Sequence, residues 1–112
     1  MLTKDRDCLI NIIEAIEKIN NYTDSFGSAE SFYNDSKSFD AVLMNFVVIG
    51  EMVSKLSNKF ISEHSEIEWW KIKGLRNIVA HDYFGVDAEE VWQIIHKHLY
   101  ILEKYIRKII NQ

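Results

Sequence analysis

Residues 38–57 read SFDAVLMNFVVIGEMVSKLS. Phe39, Val42, Leu43, Phe46, Val53 and Leu56 recur at helical spacing and make one apolar stripe. Met44, Val47, Val48 and Met52 add apolar groups on the other faces. A helix that is apolar nearly all round is buried on more than one side. The segment is therefore expected to be either the central helix of a bundle or a contact between subunits. Gly50 in its middle weakens a helix by about 1 kcal/mol relative to Ala. Close approach of another backbone is the reason expected for its presence.

Outward from this segment, the pattern stays helical. Thr3, with Asp5 and Asp7 after it, resembles a hydroxyl cap followed by acids in a first turn. Leu9, Ile12, Ile13, Ile16 and Ile19 then mark one face of a first helix, which ends near the turn formers of NNYTDSFGS. A short helical piece is expected at AESFYN, and a polar connection with one helical turn at SNKFISEHSEIEW. A third helix takes WWKIKGLRNIVAHDY, and FGVD breaks it. Asp87 with Glu90 resembles a capping box. Val91, Ile94, Ile95, His98, Leu102, Tyr105, Ile106 and Ile109 mark the last helix. With no proline and four glycines in 112 residues, the expected fold is all-α, a single up-and-down helical bundle over residues 1–112.

Thirteen basic against seventeen acidic residues give a net charge of −4, which argues against broad nonspecific adhesion to nucleic acid but leaves room for a small phosphate site. The lone Cys8 falls on an apolar stripe and reads as a buried structural thiol in a reducing compartment. MLTKDRDCLI lacks the basic-then-apolar pattern of a signal peptide. AVLMNFVVIG has about half the ~20 apolar residues of a membrane helix. A cytoplasmic protein without membrane attachment is expected.

One segment does not read as ordinary helix. RNIVAHDYF, residues 76–84, carries Arg76, Asn77, His81, Asp82 and Tyr83 within about two turns. With Arg76 at zero on a wheel of 100° per residue, Tyr83 falls about 20° to one side and Ala80 about 40° to the other. Asn77 and His81 follow at about 100° and 140°. Ile72, Leu75, Ile78 and Val79 are assigned to the packing side, and Asp82, near 240°, falls outside the arc. Arginine offers a planar fork for phosphate, histidine a proton near neutral pH, and tyrosine and asparagine further polar groups. The small Ala80 leaves space for a ligand.

RNIVAHDY matches the R-x(4)-H-x-Y signature and resembles HepT-like proteins, the toxin half of MntA/HepT (type VII) toxin–antitoxin pairs in the HEPN superfamily. VVIGEMVSKLS and EWWKIKGLRNIVAHDYFGVDAEEVWQII are similar to that family's Ile-Gly-Glu helix and to its motif helix, turn and following helix. The resemblance implies a HEPN bundle that dimerises through its motif helices into a composite ribonuclease site acting on RNA without a metal. It makes His81 the acid/base, Arg76 the phosphate-holding group and Asn77 a supporting residue. It also implies a cognate MntA-like nucleotidyltransferase antitoxin that adenylylates (AMPylates) Tyr83. The alternative is a non-catalytic helical partner or substrate-binding subunit of a minimal nucleotidyltransferase, and a third reading is a purely structural helical dimer.

Other residues keep two readings. Glu51 needs a partner if buried: an ion pair within the bundle, or a supporting contact to Arg76 or His81. Lys55, Lys59, Lys71, Lys73 and Arg76 make either an RNA-facing patch or a solvated face. His96 and His98 cannot chelate together, His98 is expected in the core or an interface, and His64 in a polar loop. No metal or other cofactor is expected. Trp69, Trp70 and Trp92 read as core and dimer-contact aromatics.

Overall fold

The segment around Gly50 forms α3 (Ser36–Ser54). It begins two residues before the predicted start because Asp35 closes its first turn, the carboxylate accepting from the Ser38 amide at 3.0 Å. In this computed structural model, which describes residues 1–111 apart from the side chain of Asp82, α3 is the central helix of an all-α bundle. It packs on α1 (Thr3–Thr23) along one side and on α5 (Trp69–Lys73) and α6 (Leu75–Asp82) along the other. No strand is present among the described residues. Leu9, Ile12, Ile16 and Ile19 from α1 share one core with Val42, Leu43, Phe46 and Ile49 from α3. Each such buried side chain stabilises the fold by about 1.5–3 kcal/mol relative to exposure.

The helix ends are set by side chains. α2 (Ala29–Asn34) starts on a reciprocal pair: Ser28 Oγ accepts from the Ser31 amide, and Ser31 Oγ accepts from the Ser28 amide. At α1 the expected Thr3 cap is absent: Leu2 occupies the cap position and makes no side-chain bond there. Asp5 instead serves a distant element. Buried to 1% exposure, it accepts from Ser57 N at 2.7 Å and from Ser57 Oγ at 2.6 Å. Ser57 in turn caps α4 (Asn58–Glu63) by accepting from the Phe60 amide. Cys8 is buried, and burial pushes its thiol pKa up.

The C-terminal rod, residues 88–110, comprises α7 (Ala88–Gln93), a π-helical turn (Ile94–Leu99) and α8 (Tyr100–Ile110). The Asp87 carboxylate accepts from the Glu89 amide rather than closing a box with Glu90. A π turn inserts an extra residue per turn and shifts the register of everything after it. The buried positions are accordingly Val91, Ile95, Leu99, Leu102 and Ile106. Leu99 takes the inward place that uniform 3.6-residue spacing assigns to His98, and His98 is exposed. His64 lies in the turn after α4, as expected, and is half-buried there. Tyr105 donates its one hydroxyl proton to Glu66 Oε2 at 2.9 Å, so its oxygen accepts from His64 Nδ1 at 3.0 Å. None of the helices among the described residues is long and apolar enough to cross a membrane.

Candidate active site

The helix carrying the RNIVAHDYF motif is in two pieces. Gly74 sits between α5 and α6 with φ −65° and ψ −14°, flatter than the helical ψ of about −42°. α6 then lies against α3 at a contact that admits no side chain on α3. A Cβ on Gly50 would stand 2.9 Å from both the Arg76 Cβ and the Lys73 carbonyl oxygen, and 3.0 Å from the Arg76 nitrogen. The expected reason for Gly50 is thereby identified: the backbone pressed against it belongs to the start of the motif helix.

Beside that contact, Arg76 Nη1 donates to Glu51 Oε1 at 2.8 Å. The hydrogen bond from Arg76, with its charge, holds the Glu51 carboxyl below the ordinary carboxylate range, against the opposing effect of partial burial. Of the two partners expected for Glu51, the structure supplies Arg76, so the ion pair and the supporting contact are one interaction. It fixes the guanidinium on the flank of α3, and among the described residues its remaining donors meet no other side chain.

The polar arc splits into two halves. Arg76 and Tyr83 bond to α3, Tyr83 while remaining 44% exposed, whereas Asn77, Ala80 and His81 are exposed and make no side-chain bond to α3 among the described residues. Tyr83 begins a 3-10 turn (Tyr83–Gly85) and donates its hydroxyl to Asp40 Oδ1 at 2.5 Å. That hydrogen bond raises the Tyr83 pKa above the ordinary phenol value, with burial and the Asp40 charge adding to it. Asp40 and Glu51 are eleven residues apart on α3, about 16 Å at ~1.5 Å per residue. Tyr83 and Arg76 are thus anchored at opposite ends of the α3–α6 contact. Tyr83 also lines a cleft of about 370 Å³ with Tyr33, Asp40 and Phe84, and Phe84 is fully exposed. The sequence offers no signal for Asp40 as the tyrosine's partner, since 43 positions separate them. The side chain of Asp82 lies outside the described residues. Among the described residues, no cluster of three His, Cys, Asp or Glu side chains is placed to hold a metal ion.

A central glycine-notched helix clasping a short helix that carries arginine and histidine, in an all-α bundle, agrees with the HEPN type that the resemblance implies. The family described as Ribonuclease HepT-like matches residues 12–109. The chain is 34% identical over 85 residues, 76% of each chain, to "Putative RNase TTE0752" of Caldanaerobacter subterraneus subsp. tengcongensis. It is 32% identical over 109 residues, 97% of this chain and 98% of the other, to "Probable ribonuclease HepT" of Thermococcus cleftensis. No solved structure matches it significantly. The chain belongs to the HepT-like ribonuclease family, and is a ribonuclease by that membership.

Proposed function

We propose that the chain is the toxin of a toxin–antitoxin pair. It cleaves RNA without a metal, in a site completed by a second copy, and is silenced by AMPylation of Tyr83. The observation that carries the proposal is the divergence within one chain. Arg76 is tied to Glu51 against α3, while His81, five residues on, is exposed on a face about 140° away. One copy sets the two groups on divergent faces, whereas two motif helices facing each other bring two arginines and two histidines together.

In that site one His81 takes the proton of a ribose 2′-hydroxyl as its oxygen attacks the adjacent phosphorus. The other gives a proton to the departing 5′-oxygen, leaving a 2′,3′-cyclic phosphate and a 5′-hydroxyl. Arg76 stabilises the charge that develops on the phosphoryl oxygens, and Asn77 helps orient the phosphate. DNA, lacking the attacking hydroxyl, is not a substrate. Regulation acts at the far end of α6. The Tyr83 oxygen attacks the α-phosphorus of ATP bound to a cognate nucleotidyltransferase, pyrophosphate leaves, and Asp40 is placed to receive the phenolic proton. The new phosphodiester cannot donate to Asp40 and carries its own negative charge. The modified side chain therefore leaves α3 and covers the exposed end of α6, excluding RNA by bulk and like charge.

Expression of the chain alone tests the first half: growth arrest and RNA cleavage are expected, both lost in His81→Ala. Unaffected cells with intact RNA refute it. Incubation with the cognate nucleotidyltransferase and ATP is expected to add AMP mass to the Tyr83 peptide, and a mass increase elsewhere or none refutes the second half. Sedimentation is expected to report a dimer or a larger even-numbered species.

A further inference from the structure

Trp69 and Trp70 are neighbours with opposite fates. Trp69 is 3% exposed and donates its indole N–H to the His64 carbonyl at 2.8 Å, whereas Trp70 is 71% exposed. Of the core and contact roles expected for these tryptophans, Trp69 takes the core one, and the exposure of Trp70 rules out the core for it. Trp70 stands at the rim of a cleft of about 460 Å³ between the end of α3, α4 and α5, inside the ~300–1,000 Å³ range of small-ligand sites. Val53, Leu56 and Trp69 make a buried apolar floor. Ser54, Asn58 and Lys73 set a hydroxyl, an amide and an ammonium on the rim. The acid on the rim, Glu68, is paired with Lys71 at 3.3 Å. An apolar floor, an exposed indole and a hydrogen-bonding rim suit a flat heteroaromatic ring with polar edges, which describes a nucleobase.

Charge and position point the same way. Lys55, Lys59, Lys71 and Lys73 are all exposed at this end of the bundle, and the Lys71 ammonium lies 5.4 Å from the Trp70 ring centroid. Lys59 is paired with Glu63 at 4.0 Å and Lys71 with Glu68, which leaves Lys55 and Lys73 as the cations beside the cleft with no ion pair among the described residues. Both walls also place the cleft one turn from the Arg76–Glu51 pair. Ser54 lies one turn after Glu51 and donates to its carbonyl at 2.6 Å, and Lys73 comes three residues before Arg76. One turn is about 5.4 Å, one or two nucleotides of a strand stacked at ~3.4 Å.

We infer that this cleft is a base subsite for single-stranded RNA. An unpaired nucleobase one or two positions from the phosphate held by Arg76 stacks on Trp70 and enters the cleft. The inference rests on the assignment of Arg76 as the phosphate-holding group. A 2′-O-methyl hexauridylate, whose blocked hydroxyl prevents cleavage, is titrated into the full chain and into Trp70→Ala. Loss of a base–aromatic stack, worth ~1–3 kcal/mol, weakens binding by about 5- to 150-fold. Trp70→Phe retains most of the affinity, and an abasic oligomer binds wild type and Trp70→Ala equally. The sedimentation and helicity of Trp70→Ala match wild type. Equal affinity of the two proteins for hexauridylate overturns the subsite, as does a Trp70→Ala chain that loses its self-association, since Trp70 would then be a contact between copies. No binding by wild type also removes it. Trp70-dependent binding with unmodified RNA left intact keeps the subsite and refutes cleavage. Cleavage indifferent to Trp70 does the reverse.

Discussion

At the scale of single residues, Glu51 is the side chain whose role the tertiary contact defines most sharply. It is partly exposed, so its bond to Arg76 adds little to folding, yet it orients the Arg76 guanidinium against α3. Glu51→Gln is therefore expected to leave the melting midpoint nearly unchanged while lowering RNA cleavage about 10- to 100-fold, the scale of a misplaced catalytic contact. A large loss of stability with normal activity would invert this assignment. Tyr105 makes the opposite kind of prediction. Burial first, and then its bond to Glu66, push its pKa up to about 12. A folded pKa above the unfolded value of about 10 contributes stability that is complete below pH ~10 and lost as pH rises toward about 12. Alkaline unfolding of wild type should show this component, and Tyr105→Phe should lack it.

At the scale of elements, the decisive contacts join segments far apart in the chain. Gly50→Ala gains helix propensity of about 1 kcal/mol. It also sets a methyl 2.9–3.0 Å from backbone atoms of Lys73 and Arg76, which can move only with their helix. Overpacking of this kind costs about 1–3 kcal/mol, so net destabilisation of up to about 2 kcal/mol is expected in urea unfolding, with reduced cleavage because Arg76 is displaced. Asp5 ties the first turn of α1 to the cap of α4. Asp5→Ala leaves the Ser57 amide and hydroxyl without their charged acceptor and is expected to cost about 2–3 kcal/mol. The helical piece expected at AESFYN coincides with α2, but the local cap readings at Thr3 and at Asp87 with Glu90 did not form as expected, and α3 starts two residues early on Asp35. The tie from Asp5 to Ser57 was not readable, because Asp5 reads as an ordinary first-turn acid. The register of the last helix failed for another reason. Periodicity assumes a uniform turn, and the π turn at Ile94–Leu99 moves the core position from His98 to Leu99.

At the scale of the whole molecule, an acidic chain must bind an acidic polymer through a local surface. In the proposed binding mode, the cations around the cleft and Arg76 make only a few phosphate contacts per chain. Log affinity for single-stranded RNA should then fall with log salt at a slope of about −2 to −3 per chain, at ~0.7 per phosphate. A slope steeper than about −5 would mean that RNA wraps a far larger surface than this one. The all-helical class, the central place of α3 and the motif positions were legible from spacing and composition, since burial on several sides leaves its mark in the residues themselves. The pairing of Tyr83 with Asp40 and the exposure of Trp70 beside buried Trp69 were not, because neither depends on local pattern.

The sequence by itself determined that the chain is a helical bundle and that arginine, asparagine, histidine and tyrosine lie within two turns. Periodicity and glycine and proline usage are local properties, and helices obey them. Only the tertiary structure decided which of those groups work together. Packing α6 against the notch at Gly50 turns Arg76 to Glu51 and Tyr83 to Asp40, some 16 Å apart along α3, and leaves His81 facing outward. A helical wheel gives angles about one axis. It carries no information about the neighbouring helix, and that neighbour divides the motif into side chains bonded to it and side chains that are not.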